Sequence, residues 1–126
     1  MEAHPLYQVL TSMPGIGVPA AAVFIAETLG RTFDSGAHLA SYAGLTPVTR
    51  RSGSSIRGEY VSHAGNKRLK RAMFLSAFAS LRSDPVSRAY YDRKIAQGKR
   101  HNQAVIALAH RRILTLHAMI RDGALY

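Results

Sequence analysis

Residues 6–29, LYQVLTSMPGIGVPAAAVFIAETL, read as a helix, a tight turn and a second helix. Pro14 and Gly15 stop the first helix, because proline removes a backbone donor and glycine tolerates the sharp reversal. Gly17 permits the turn, and Pro19 falls in the first helical turn, where a missing N–H costs least. The chain therefore opens with a helical hairpin, and a mainly α fold is the first expectation.

The pattern continues outward from that hairpin. In residues 32–43, Ser35 can cap a short helix that carries Leu39, Tyr42 and Ala43 on one side, and Gly44 ends it. Residues 45–63 differ in kind, with Thr, Val, Ile and Tyr at the flanks and Gly, Ser and Arg in the middle, so a short β-hairpin or an ordered loop is expected. Helical character resumes after Gly65 and Asn66, with Leu69, Ala72, Met73, Leu75, Ala79 and Leu81 available for a buried stripe. Ser83, Asp84 and Pro85 give a break and a cap, and the helix that follows closes at Gly98. A last helix over about 101–121 spaces Val105, Leu108, Ala109, Arg112, Leu116 and Ile120 by threes and fours, and Gly123 ends it. The whole is one domain of residues 1–126: a hairpin at 6–30, a basic Ser/Gly insertion at 45–63 and a helical bundle over 64–122.

Composition narrows the function. A chain of 126 residues with 47% apolar and 19% charged residues is long enough and apolar enough to fold around a core. Seventeen Lys and Arg against seven Asp and Glu give a formal charge of +10, which attracts polyanions and is screened by salt. Nucleic acid is the first candidate partner. A membrane surface is disfavoured, because the cations gather in a Gly/Ser-rich segment and not along one face of an amphipathic helix. With no cysteine, there is neither a disulfide framework nor a thiolate metal site. The start, MEAHPLYQVL, lacks the features of a secretory leader, and a cytoplasmic protein is the expectation.

Three constellations could carry chemistry. The run from Leu10 through Met13-Pro14-Gly15-Ile16-Gly17 to Ala21 and Phe24 is similar to the helix-hairpin-helix motif, in which glycines let backbone N–H groups approach a DNA phosphate at a helix start. Gly15 and Gly17 are the candidates there, although Pro19 removes one donor. Arg50, Arg51, Arg57, Lys67, Arg68, Lys70 and Arg71 form a second cluster, opposed between residues 49 and 72 by Glu59 alone. Four of them follow Gly65-Asn66 at a helix N-terminus, where the helix dipole favours acids, so the placement points to phosphate binding. The third is SGSSIRG, residues 52–58: a serine hydroxyl could attack a phosphodiester if neighbouring arginines stabilised the charge, yet the same residue types also make an ordinary turn. The chemistry leaves Ser52, Ser54 and Ser55 undistinguished. The six histidines and the scattered acids Asp34, Glu59, Asp84 and Asp92 form no pattern for a metal, and Tyr90 and Tyr91 are more naturally packing residues than base-stacking platforms.

Taken in order, four stretches resemble the C-terminal transposase domain of the IS110/IS116/IS902/IS1111 insertion-sequence family: LTSMPGIGVPAAAVFIAETL, FDSGAHLASYAGLTPVTRRSGSSIRG, SHAGNKRLKRAMFLSA and SDPVSRAYYDRKIAQGK. The resemblance implies a DNA recombinase whose serine forms a covalent phosphoserine link. The family's serine lies in a Ser-Gly element shortly after Gly-Leu-x-Pro; here Gly44-Leu45-Thr46-Pro47 precedes Ser52-Gly53, which carries the role to Ser52. It also implies an N-terminal RuvC-like half whose acids hold divalent metal, Mg, together with a guide RNA and assembly into a homo-oligomer. These 126 residues contain no such acidic half, so no cofactor is expected in this chain. The other expectation is a non-catalytic nucleic-acid-binding helical module.

Overall fold

The computed structural model of the chain describes residues 4–46 and 65–126. Among them are six helices and no strand: α1 (Tyr7–Ser12), α2 (Val18–Thr28), α3 (Gly36–Tyr42), α4 (Lys67–Ser83), α5 (Pro85–Ala96) and α6 (His101–Asp122). The mainly α expectation holds. The strand-like or looped character read for residues 45–63 falls almost wholly outside the described residues.

Local chemistry sets most of the boundaries. Ser35 caps α3 by accepting a hydrogen bond from the His38 N–H, as its position predicts, and the helix starts directly after it at Gly36. Asp84 is both the end of α4 and the cap of α5: its carboxylate accepts from the Val86 N–H, and Pro85 takes the first helical position. Gly123, with φ of +66°, closes α6 in the left-handed region that glycine enters without penalty.

Helix α6 is the central post. It packs on α1, α3, α4 and α5, while α2 lies against α4. Leu10, Met13, Leu39, Leu45, Leu69, Met73, Leu108, Ile113 and Leu116 are fully buried and make one continuous core. The buried stripe of α4 differs from the one its hydrophobicity predicts. Leu69 and Met73 point inward as expected, but Leu75 and Ala79 face solvent, while Ser76, Ala77 and Ser80 fill the interface. The reason is distance: a β-carbon placed on Gly15 would lie 2.4 Å from the Ser76 carbonyl oxygen and 3.1 Å from the Ser80 nitrogen. The α1–α2 turn rests backbone on backbone against α4, and only small side chains fit beneath it. In α6, Met119 and Ile113 join the core, and Ile120 is only half-buried.

A buried polar network fastens the same turn from behind. Arg112, 4% exposed on α6, donates from Nη2 to the Pro14 carbonyl at 2.6 Å and to Ser76 Oγ at 2.8 Å, and from Nη1 to Ser87 Oγ at 3.5 Å. Burial pushes its guanidinium down to about 10, with Tyr126 and Asp84 pulling the other way, so it stays charged at neutral pH. Its Nε is buried without a partner among the described residues. Asp84 completes the network, accepting from Ser87 Oγ at 2.7 Å and from the Tyr126 hydroxyl at 2.8 Å. Burial works to raise the Asp84 carboxyl, but these hydrogen bonds and those from the backbone of Val86 and Ser87 hold it below the usual range.

Candidate nucleic-acid interface

The N-terminus of α4 is built from three distant pieces of chain. Asn66 caps it, its Oδ1 accepting from the Leu69 N–H at 2.9 Å, which satisfies one of the orphan donors of the first turn. The Asn66 Nδ2 donates to Glu27 Oε1 at 2.7 Å and to the Tyr42 hydroxyl oxygen at 3.1 Å, while that hydroxyl donates to the Glu27 carbonyl at 2.8 Å. The other Glu27 oxygen pairs with Arg68 Nε at 3.2 Å. One carboxylate from α2 thus fixes the cap and orients the first arginine. Sequence reasoning passes over Glu27, Tyr42 and Asn66 because the contacts join residues that no local spacing relates.

Directly beside this cap, Gly44 and Gly65 press together. A β-carbon on Gly65 would lie 2.5 Å from the Gly44 Cα and 2.7 Å from its nitrogen, and the Asn66 N–H donates to the Tyr42 carbonyl at 2.7 Å. Gly44 has φ of +73° and ends α3, while the next residue, Leu45, is still fully buried. Gly44 and Gly65, which flank residues 45–64 in sequence, therefore meet next to the cationic start of α4. Ser52, Arg50, Arg51 and Arg57 all lie in that segment, outside the described residues.

The predicted phosphate-binding residues of the described chain separate into groups. Gly15, Gly17, Arg68 and Arg71, although some fifty residues apart in pairs, line one groove of about 430 Å³ between α2 and α4, floored by Val23, Ala72 and Leu75. Lys70 points to the other side of α4, into a second groove. Lys67 is exposed at the helix start and lines neither. The two glycines play different parts. Gly15 has φ of +92° and its missing side chain is what lets α4 approach, so the need for glycine there is internal packing. Gly17 is exposed and extended, caps α2 without a side-chain bond, and has only the Pro19 ring near it; Pro19 itself offers no N–H in that first turn.

Neither α2 nor α4 has an acid in its first turn. Two guanidinium groups and the Gly17 cap of α2 line one groove, an arrangement suited to a phosphate oxygen. The histidines among the described residues do not converge. His110 is half-buried in the second groove, where burial lowers its imidazole, and His117 lies against the Phe33 carbonyl at 3.4 Å. Among the described residues there is no cluster of three metal-ligating side chains, and no helix long and apolar enough to cross a membrane.

Comparison with known proteins supplies the rest. A family model described as "Transposase IS116/IS110/IS902 family" matches residues 7–92. The chain is 58% identical to the "Insertion element IS110 uncharacterized 43.6 kDa protein" of Streptomyces coelicolor, over 100% of the chain and 31% of that protein. It is 49% identical to the "Insertion element IS900 uncharacterized 42 kDa protein" of Mycobacterium paratuberculosis, over 98% of the chain and 31% of that protein. To the "Pilin gene-inverting protein" of Moraxella lacunata it is 35% identical, over 90% of the chain and 36% of that protein. The chain spans about a third of the length of these relatives.

Proposed function

The chain belongs to the IS116/IS110/IS902 transposase family, and from that premise we propose that it is the DNA-binding, serine-bearing domain of a transposase or recombinase, with Ser52 as nucleophile. The observation that carries this reading is the convergence of Gly17, Arg68 and Arg71 on one groove between α2 and α4.

The chemistry follows from the residue types. Ser52 Oγ forms a bond to phosphorus, and the scissile P–O bond to the sugar breaks. The sugar oxygen leaves with the electron pair and takes up a proton, while the serine proton passes to solvent. Charge building on the nonbridging oxygens is met by arginine, for which Arg50, Arg51 and Arg57 are the nearest candidates in sequence, with Arg68 and Arg71 anchoring the flanking backbone. Because the phosphoserine keeps the energy of the cleaved bond, attack by a sugar hydroxyl of another strand rejoins DNA by the same steps reversed.

The described residues do not fit a divalent metal, and no step here runs through one. Magnesium belongs in this reading to a RuvC-like half carried on the remaining two thirds of the relatives' length, as do the guide RNA and the contacts of a homo-oligomer working in the cytoplasm. A DNA substrate that traps the cleaved intermediate tests the proposal in the chain joined to such a half. Wild type, Ser54→Ala and Ser55→Ala are expected to give a covalent protein–DNA adduct and Ser52→Ala none. An adduct that survives Ser52→Ala removes Ser52 as the nucleophile.

A further inference from the structure

On the opposite side of α4 from the Gly17 groove lies the second groove, about 390 Å³, between the outgoing chain at Thr46, Lys70 of α4, Tyr90 and Lys94 of α5, and Lys99 and His110 at and along α6. We propose that it is a second binding site for a phosphodiester backbone. The inference rests on the reading of the chain as a nucleic-acid-binding domain, but on different residues.

Three observations carry it. The described lining contains three lysines and no carboxylate. The nearest acid on α5, Asp92, is already paired with Arg88 at 3.1 Å. Second, the cations stand where helix electrostatics argues against them. Lys99 and Arg100 directly precede the first turn of α6, and that turn, like the first turn of α4, has no acid. A helix of 22 residues presents its positive end there, and a bound phosphate would supply the missing negative charge. Lys94 alone has a structural reason, since it sits at the negative end of α5; Lys99 has none. The turn closing α5 holds the two together, Gly98 at φ of +94° letting the Lys99 N–H reach back to the Lys94 carbonyl at 3.1 Å.

Third, Tyr90 selects backbone over bases. Its ring has Arg93, Lys94 and Arg111 within 5.5, 5.3 and 5.1 Å of its centre, so its faces gather cations and are not open to a base. The groove thus recognises phosphate without reading sequence. His110, kept from protonation by burial, adds a group that gains a proton and a charge-assisted bond when a phosphate arrives.

Anisotropy titrations of the chain with a labelled DNA duplex, and with its single strand, between about 50 and 200 mM salt separate the two sites. Lys94→Gln/Lys99→Gln is expected to make the slope of log affinity against log salt shallower by about 1.8 on duplex, about 0.9 for each phosphate no longer neutralised. Arg68→Gln/Arg71→Gln should do the same through the first groove. Arg82→Gln/Arg121→Gln removes equal charge outside both grooves, and a Lys94/Lys99 variant that behaves like this control overturns the proposal. If only the Arg68/Arg71 pair flattens the slope, the first groove stands and the second falls; if neither does, both fall. In wild type the His110 imidazole should titrate at higher pH once DNA is bound, as read by NMR, and in Lys94→Gln/Lys99→Gln it should not.

Discussion

The two ends of α4 treat polar groups in opposite ways. At its N-terminus Lys67, Arg68, Lys70 and Arg71 are exposed or half-buried, and Glu27 of α2 pairs with one of them. Toward its C-terminus Ser76, Ser80 and Asp84 are buried and bound up with Arg112, Ser87 and Tyr126 inside the protein. A buried polar atom must find its partner within the fold, and the cost of failing is high. An exposed cation at a helix start has no such partner to hand and remains available to an anion from outside. One rigid helix thus joins a cemented end to a receptive one, and the difference between them separates stability from binding.

The contrast can be broken most severely at the cemented end. Arg112→Ala strips partners from the Pro14 carbonyl, Ser76 and Ser87 and leaves a void, and should cost about 3–5 kcal/mol in chemical denaturation. Where the variant remains folded, the salt slope of DNA binding should be unchanged, since Arg112 touches neither groove surface. Gly15→Ala comes next: a left-handed alanine costs about 1–2 kcal/mol and the clash with Ser76 a further 1–3 kcal/mol, read as a lowered denaturation midpoint.

Acid probes the same end more gently. The Asp84 carboxyl is held below its ordinary 3.8 in the folded chain, so it stabilises the fold above that pH, and the contribution is lost as pH falls through the folded value. Asp84→Asn should lower stability at neutral pH and flatten the acid limb of a stability-against-pH curve. The smallest change belongs to the receptive end. Glu27→Gln keeps an amide oxygen to accept from Asn66 and loses only the ion pair with the exposed Arg68, worth at most about 1 kcal/mol. With the nearby acid gone, DNA affinity at low salt should rise a few-fold; a fall would mean that orienting Arg68 matters more than its free charge.

The parts of this fold that were legible in the sequence are those set by neighbours along the chain. Ser35, Asp84-Pro85, Gly98 and Gly123 act on residues within a turn of themselves, and their readings held. The α4 stripe failed in part because hydrophobicity predicts where oil goes. It does not predict where two backbones touch, and beneath Gly15 that contact demands the small Ser76 and Ser80 over Leu75 and Ala79. Arg112 fell on the correct helix face by its spacing, but its network joins four separate pieces of chain. The candidate site shows the same division. Composition marked the cations at the start of α4 and their i, i+3 spacing puts Arg68 and Arg71 on one face, whereas only the packing of other helices on either side of α4 makes the grooves that they and Lys70 line.

The Gly44–Gly65 contact has a topological consequence. It clasps the end of α3 to the start of α4 backbone on backbone, so the two stems of the connection between them are held at a fixed separation by residues that lack side chains. In chain entropy alone, doubling the number of residues that join two such fixed stems costs only about 0.6 kcal/mol, because closure entropy grows with the logarithm of length. A side chain at either glycine would spread the stems, so the clasp is sensitive to its own two residues far more than to the length of what it joins.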